Sequence, residues 1–320
     1  MGDPAGVGPE ITQKAWQALR GQRETAFFVI GDPRFYRSVR AIEHPCEAAH
    51  VFANALPILP LECASIEHGE PNEKAAPAII KSIEQAVAFA IENTAAAIVT
   101  NPIAKDVLYR AGFKHPGHTE FLNSLTEGSV APYTRGPMMM LSAKDLRVAL
   151  VTIHSPLKDI ADAITKDKIV KAATLLDESL RIDFGIKSPR LAMAGLNPHA
   201  GENGSIGMEE IDILNPAAEY LRTRGINITD AQSADTLFHE EARANYDAAL
   251  CMYHDQGLIP VKTLDFHGGV NTTLGLPIVR TSPDHGTAFD IAGKGIARPD
   301  SLIAAIHMAR QISHQRSMPR

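Results

Sequence analysis

Three histidines, His154, His199 and His254, each follow closely on a short apolar run, at residues 147–153, 191–196 and 248–252. Runs of this kind read as strands buried on both faces of a parallel sheet. Ligands of open parallel sheets bind outside the carboxyl ends of the strands. Three imidazoles delivered to one such edge can form a histidine-only site for a divalent cation, with coordination positions left for substrate. The plainer alternative is three separate strand-end side chains satisfied by backbone or water. The three are widely spaced, and no local pattern of the H-E-x-x-H kind decides between the two readings.

Other polar residues fall in similar places. Asn101 ends the apolar run 95–100, and Arg280 ends the run 276–279. Lys262, Asn271 and Arg280 lie near two of the strand ends. Arginine suits phosphate or carboxylate through its planar fork and lysine as a point charge, although solvated surface charge has the same appearance. His118 and Thr119 stand just ahead of an apolar helical stretch, where the Thr119 hydroxyl or the free N–H groups of a helix start can meet an anion or simply cap the helix. The glycine-rich opening, Gly2 to Glu10, is neither a G-x-G-x-x-G fingerprint nor a Walker A loop. No G-x-S-x-G nucleophile elbow occurs. The stretch 284–297 carries three glycines and no secondary-structure period, as an ordinary surface loop does.

The elements that must position these residues alternate along the chain. Apolar spacing predicts helices over 9–20, 75–93, 166–180, 209–223 and 301–311. It predicts strands over 26–30, 95–100, 138–141, 147–153, 191–196, 248–252 and 276–279. Apolar runs bracketed by helices imply a largely parallel sheet with helices on both faces. A length of 320 residues allows one large α/β unit or two lobes, and 128–137 is the best candidate linker. The opening turn has no strand before it, so a first strand is expected to be missing ahead of Gly2.

Composition narrows the function classes. Lys plus Arg number 31 and Asp plus Glu 37, a net charge of −6, which is a poor footprint for nucleic acid. The most apolar stretch, 86–100, is interrupted by Glu92 and Asn93 and is too short to span a membrane. No charged segment followed by an apolar one opens the chain, so a cytoplasmic protein is expected. The 3 cysteines form no C-x-x-C pair and are too few for a disulfide framework.

Seven segments carry a resemblance: GDPAGVGPEI from Gly2, NP from Asn101, GHTEFL from Gly117, GLNPHAGENG from Gly195, ADTLF from Ala234, YHDQGLIPVK from Tyr253 and VNTTLGLPIVRTSPDHGTAFDIAGKG from Val270. Together they resemble the 4-hydroxythreonine-4-phosphate dehydrogenase (PdxA) family of the pyridoxal phosphate pathway, almost from end to end. The resemblance implies an α/β fold like that of isocitrate and isopropylmalate dehydrogenases, with two α/β/α lobes around a central cleft. The expected lobes are 1–127 plus 283–320, and 128–282. A homodimer with its site near the interface is implied as well.

By the same resemblance His154, His199 and His254 hold one divalent metal (Zn, Mg, Co or Mn). His118, Thr119, Lys262, Asn271 and Arg280 bind a phosphorylated small-molecule substrate. The loop of His285, Gly286 and Asp290 resembles the adenosine-binding loop of isopropylmalate dehydrogenases. A carboxylate at Asp290 suits the ribose hydroxyls of NAD and repels a 2′-phosphate, so NAD is expected ahead of NADP. The implied reaction is oxidation of a secondary alcohol, polarised by the metal, followed by decarboxylation to 3-amino-2-oxopropyl phosphate. Asp235 and Asp255, near the site in sequence, are secondary candidates for orienting an imidazole or taking the alcohol proton, and equally for caps. Rival readings are a sister dehydrogenase for threonate or erythronate 4-phosphate, a metal-dependent phosphoester hydrolase, and a non-catalytic metabolite-binding protein.

Overall fold

The computed structural model describes residues 1–115 and 117–318; Pro116 and the last two residues of the first expected lobe lie outside that description. Among the described residues eleven strands follow in chain order: β1 (Val29–Gly31), β2 (Val39–Ala41), β3 (Leu56–Pro60), β4 (Ile98–Val99), β5 (Met138–Ala143), β6 (Leu146–Leu150), β7 (Arg190–Ala194), β8 (Asn227–Gln232), β9 (Ala248–Cys251), β10 (Val270–Leu274) and β11 (Arg280–Pro283). The fold is mixed α/β. The chain divides into two compact units, one of Met1–Val130 with Leu276–Ser313, the other of Ala131–Gly275 with His314–Arg320. Arg280, within the expected span 128–282, thus belongs with the N-terminal residues.

In the first unit β1 and β2 flank β3 in parallel register, and β4 pairs in parallel with β11, Ile98 opposite Arg280. The helix Gly8–Leu19 places Ile11, Ala15, Trp16 and Leu19 on one buried stripe, at helical spacing. That stripe packs on Phe52, Leu56 and Ile58, and the Trp16 indole N–H donates to the Phe52 carbonyl at 2.8 Å. The helix Ala76–Ile91 buries Ile79, Ile83 and Val87 against Leu108, Phe121, Leu122, Leu276 and Ile278.

The second unit holds strands in the order β10-β5-β6-β9-β7-β8. Alternation decides its two faces. Leu191, Met193, Ala248 and Leu250 join one core, shared with the helices Lys166–Ile182 and Asn215–Thr223. Ala192, Ala194, Ala249 and Cys251 join the other, under the helix His254–Leu264. Burial on both faces is why these strands read as continuous apolar runs.

The sheet departs from the expected parallel pattern at one side. β5 and β6 form an antiparallel hairpin turning at Lys144 (φ 53), and β10 pairs antiparallel with β5. The pairs β6/β9, β9/β7 and β7/β8 are parallel. The strand expected over 276–279 is absent. Gly275 turns there with φ +77, Pro277 removes a ladder donor, and the strand begins only at Arg280. Arg280 therefore opens a strand instead of ending one. β10 and β8, rich in Thr, Asn and Asp, lacked the apolar signal.

A buried polar knot closes this second unit. The Tyr133 hydroxyl donates to Asp183 Oδ2 at 2.6 Å, and Arg316 Nε donates to Asp183 Oδ1 at 2.6 Å. The Gly275 N–H reaches the Tyr133 oxygen at 3.4 Å, and the Gly136 N–H donates to the Gly275 carbonyl at 3.2 Å. A Cβ on Gly275 would overlap the Gly136 backbone, so the close approach needs glycine.

Candidate functional site

β6, β9 and β7 are adjacent and parallel, and His154, His254 and His199 all follow their carboxyl ends. The His154 and His254 rings lie with centroids 5.8 Å apart. His254 opens the helix His254–Leu264, and its Nδ1 faces Asp255 Oδ1 at 2.7 Å, an arrangement that orients an imidazole.

His199 does not complete a trio with that pair. Among the described residues no group of three or more His, Cys, Asp or Glu side chains is placed to hold a metal ion. Beyond β7, His199, Ala200, Gly201, Glu202 and Asn203 form a left-handed turn, with φ between 44 and 76. There the His199 Nδ1 lies 3.6 Å from Glu202 Oε2. Asp235 feels the His199 charge as well. A Ser233 hydroxyl hydrogen bond is the main cause that holds this exposed carboxylate below its usual range.

The left-handed turn is held from beneath by Glu210, a carboxylate only 1% exposed. Its Oε1 accepts from the Asn197 N–H at 2.7 Å and its Oε2 from Asn197 Nδ2 at 2.9 Å, and Glu209 takes a second Nδ2 bond at 2.7 Å. A Cβ on Gly201 would meet Glu210 Oε2 at 2.6 Å, so the turn sits directly on the carboxylate. Glu210 itself begins a π-helical turn, Glu210–Leu214, a local irregularity common at functional sites.

The other expected substrate residues fall in both units. In the second, Lys262 lies on the helix His254–Leu264 with Nζ 5.5 Å from the Phe266 ring, and Asn271 lies in β10 with its Oδ1 buried and without a hydrogen-bond partner among the described residues. In the first, His118 and Thr119 open the helix His118–Leu125, Gly117 standing extended before it. Among the described residues no side chain caps that helix start, so its first N–H groups have no partner within the helix. Burial foremost, then the charge of Arg280, with Lys105 adding to it, keeps His118 well below the usual histidine range, so its imidazole is neutral. Its Nε2 is buried and has no hydrogen-bond partner among the described residues.

Arg280 is 5% exposed, and its Nε and Nη2 donate to Thr100 Oγ1 at 3.1 and 2.7 Å. Burial lowers its pKa to about 10, still fully cationic at neutral pH. Arg280 and Lys105 thus surround a neutral imidazole beside a helix start, chemistry that attracts an anion.

His285, Gly286 and Asp290 lie on the long loop after β11. The His285 Nδ1 meets the Gly286 carbonyl at 2.9 Å, and Asp290 is exposed. The glycine-rich opening turn supports this loop. The Val7 N–H donates to the Thr287 carbonyl at 2.9 Å, and a Cβ on Gly6 would stand 2.7 Å from that oxygen. Glu10 accepts from the Ala297 N–H at 2.8 Å while Lys14 donates to the Gly295 and Ala297 carbonyls. The opening motif is therefore a platform for the 285–297 loop.

Sequence reasoning passed over Lys105, Glu210 and Gln256. Lys105 and Gln256 sit inside or beside segments singled out above. Glu210 lies in a Glu-Glu pair that resembles any acidic helix start.

Comparison with known proteins fits this arrangement. The family model described as "Pyridoxal phosphate biosynthetic protein PdxA" matches residues 21–309. A 4-hydroxythreonine-4-phosphate dehydrogenase of Caulobacter vibrioides is 56% identical over 324 residues, covering 99% of this chain and 97% of that protein. One from Maricaulis maris is 53% identical over 331 residues, covering 99% and 97%. The crystal structure of the Klebsiella pneumoniae 4-hydroxythreonine-4-phosphate dehydrogenase superposes with a TM-score of 0.86 at 39% identity, covering 98% of each chain. With the match running through every segment that carries the histidines and the basic residues, the chain belongs to the PdxA family of pyridoxal phosphate biosynthetic proteins.

Proposed function

We propose that the protein is a 4-hydroxythreonine-4-phosphate dehydrogenase, which oxidises and decarboxylates 4-phosphohydroxy-L-threonine to 3-amino-2-oxopropyl phosphate with NAD and one divalent metal ion. The observation that carries this reading is the delivery of His154, His254 and His199 to the carboxyl ends of three adjacent parallel strands. Relatives more than 50% identical over nearly the whole chain bear that name.

The donor set fits a borderline divalent cation in kind. Two imidazoles stand 5.8 Å apart, and one is oriented by a carboxylate. His199 is the third ligand in this reading, and a homodimer with its site near the interface allows it to serve from either copy. When bound, the cation supplies Lewis-acid polarisation of the substrate alcohol and the nicotinamide supplies a hydride acceptor.

The chain's own residues do the rest. Arg280, steadied by Thr100, offers a planar fork to the phosphate, and the helix start at His118 and Thr119 offers N–H donors to the same anion. Lys262 adds a point charge. Asn271 Oδ1 offers an acceptor for a substrate N–H or O–H. Such anchoring holds the reacting carbon in register, where positioning lowers a barrier substantially. Asp255 orients His254, and Asp235 is the second carboxylate candidate for taking the alcohol proton in this reading. The loop of His285, Gly286 and Asp290 takes the adenosine end of NAD. The same reading places the enzyme in the cytoplasm.

The test is nucleotide reduction by purified protein with 4-phosphohydroxy-L-threonine or 4-phospho-threonate, with NAD or NADP, before and after chelation. Metal-dependent NADH formation with the amino substrate is expected. Turnover only with the threonate would give the sister activity, and phosphate release without nucleotide reduction would give the hydrolase.

A further inference from the structure

Gln256 ties together two of the strand ends that carry histidines. It is 9% exposed, and both ends of its amide are used. The Met252 N–H donates to Gln256 Oε1 at 2.7 Å, and Gln256 Nε2 donates to the Gly195 carbonyl at 2.6 Å. Met252 continues β9 two residues before His254, and Gly195 continues β7 four residues before His199. The third strand end joins the same chain of bonds, because the Thr152 hydroxyl donates to the Met252 carbonyl at 2.7 Å, two residues before His154.

The carrier of Gln256 is rigidly seated. A Cβ on the next residue, Gly257, would lie 2.5 Å from Val148 and 2.7 Å from Leu150, so the helix start rests directly on β6. The Gly195 N–H is also engaged, by the Gln232 carbonyl of β8 at 2.7 Å. A buried amide used at both ends, beyond the last ladder bonds of two strands, sets their separation where the sheet no longer does.

We propose that Gln256 is a positioning residue for cation binding: through the Met252 N–H it holds the β9 end, and with it His254, beside the β6 end that leads to His154, and it braces that pair against β7. The proposal rests on the reading of these histidines as metal ligands. Outer groups that orient metal ligands typically change affinity by about 10–100-fold when removed.

The experiment is titration of the full chain with cobalt(II) alone, without substrate or nucleotide, read by calorimetry and by the visible absorption of the bound ion. Gln256→Met keeps the side chain's bulk and deletes both bonds, and is expected to weaken cobalt binding about tenfold or more and to alter the absorption band. Gln256→Glu keeps the Met252 bond and sets oxygen against the Gly195 carbonyl. It is expected to weaken binding too, and it decides the matter should the methionine variant not fold. Ser179→Ala removes a buried hydroxyl that donates to the Leu175 carbonyl at 2.7 Å elsewhere in the unit, and is expected to leave cobalt affinity unchanged. Affinity within twofold of the wild type and an unchanged band in the Gln256 variants would overturn the proposal, as would equal weakening by Ser179→Ala. Failure of the metal reading itself looks different: the wild type takes up no cobalt, or His199→Ala and His254→Ala bind it as the wild type does.

Discussion

Replacing Glu210 by glutamine should release the His199 turn while leaving the two cores folded. The turn carries four non-glycine residues in the left-handed region, His199, Ala200, Glu202 and Asn203, at φ 52, 50, 44 and 55. At roughly 1–2 kcal/mol each, their strain is about 4–8 kcal/mol. Two bonds from Asn197 to the buried Glu210 side chain, counted at the charge-assisted value of roughly 1.5–3 kcal/mol each, are worth about 3–6 kcal/mol together. Holding and straining forces are therefore of the same size. Glutamine keeps one acceptor oxygen but turns an NH2 toward the Asn197 amide donor, so at least one bond is lost and one contact becomes unfavourable. A local loss of about 3 kcal/mol corresponds to roughly a hundredfold more frequent opening of this segment. Hydrogen exchange resolved to peptides reads this directly. Amides of 197–206 should exchange about two orders of magnitude faster, with those of β7 and β9 unchanged. Nucleotide reduction should fall in step. Unchanged exchange in 197–206, or acceleration spread evenly through the unit, would show that Glu210 is not what holds the turn.

Three further outcomes follow from the described contacts. The Arg34 hydrogen bond, with the Arg34 and Cys63 amides, holds Asp32 down to about 2. A carboxylate so depressed stabilises the folded state above its unfolded value near 4, and that contribution, about 2 kcal/mol, is lost as pH falls through 4 toward 2. Asp32→Asn should thus lower stability at neutral pH and flatten the acid limb of a denaturation series between those values; parallel limbs for both proteins would contradict this. Arg316→Met leaves Asp183 buried and uncompensated, at a cost of about 3–5 kcal/mol, and should lower the calorimetric transition by roughly 6 °C or more, whereas a fall under about 2 °C would refute the buried pairing. Arg280→Lys keeps the charge and loses the fork to Thr100. KM for the phosphorylated substrate should rise about tenfold with little change in thermal stability, and an unchanged KM would take Arg280 out of phosphate binding.

Much of the second unit was legible from its residues because burial on both faces writes strands as continuous apolar runs. The ends of β6, β7 and β9, and the histidines beyond them, could be read on that basis alone. β8 and β10 could not. Their Thr, Asn and Asp residues pair through backbone bonds that no side-chain pattern announces, and with β10 unseen the apolar stretch 276–279 passed for the strand beside it. The histidine trio was legible as topology and not as geometry. Strand ends follow from hydrophobic pattern, but the path beyond β7 depends on a left-handed turn that runs against the preference of four of its five residues. Only tertiary contacts with Glu210 and Gly207 explain it. Gln256 was equally hidden, since a buried amide is identified by its two carbonyl and amide partners and not by its neighbours in the chain.

The knot of Tyr133, Asp183 and Arg316 bears on how the polypeptide is made. Asp183 is almost wholly enclosed, yet its cationic partner is translated more than a hundred residues later. Until Arg316 leaves the ribosome, the nascent second unit carries a carboxylate with nothing to neutralise it, and the first unit likewise waits for β11 to join β4. Neither half can finish early. Both cores are sealed only by residues made long after the strands they cover, so each unit closes late in synthesis.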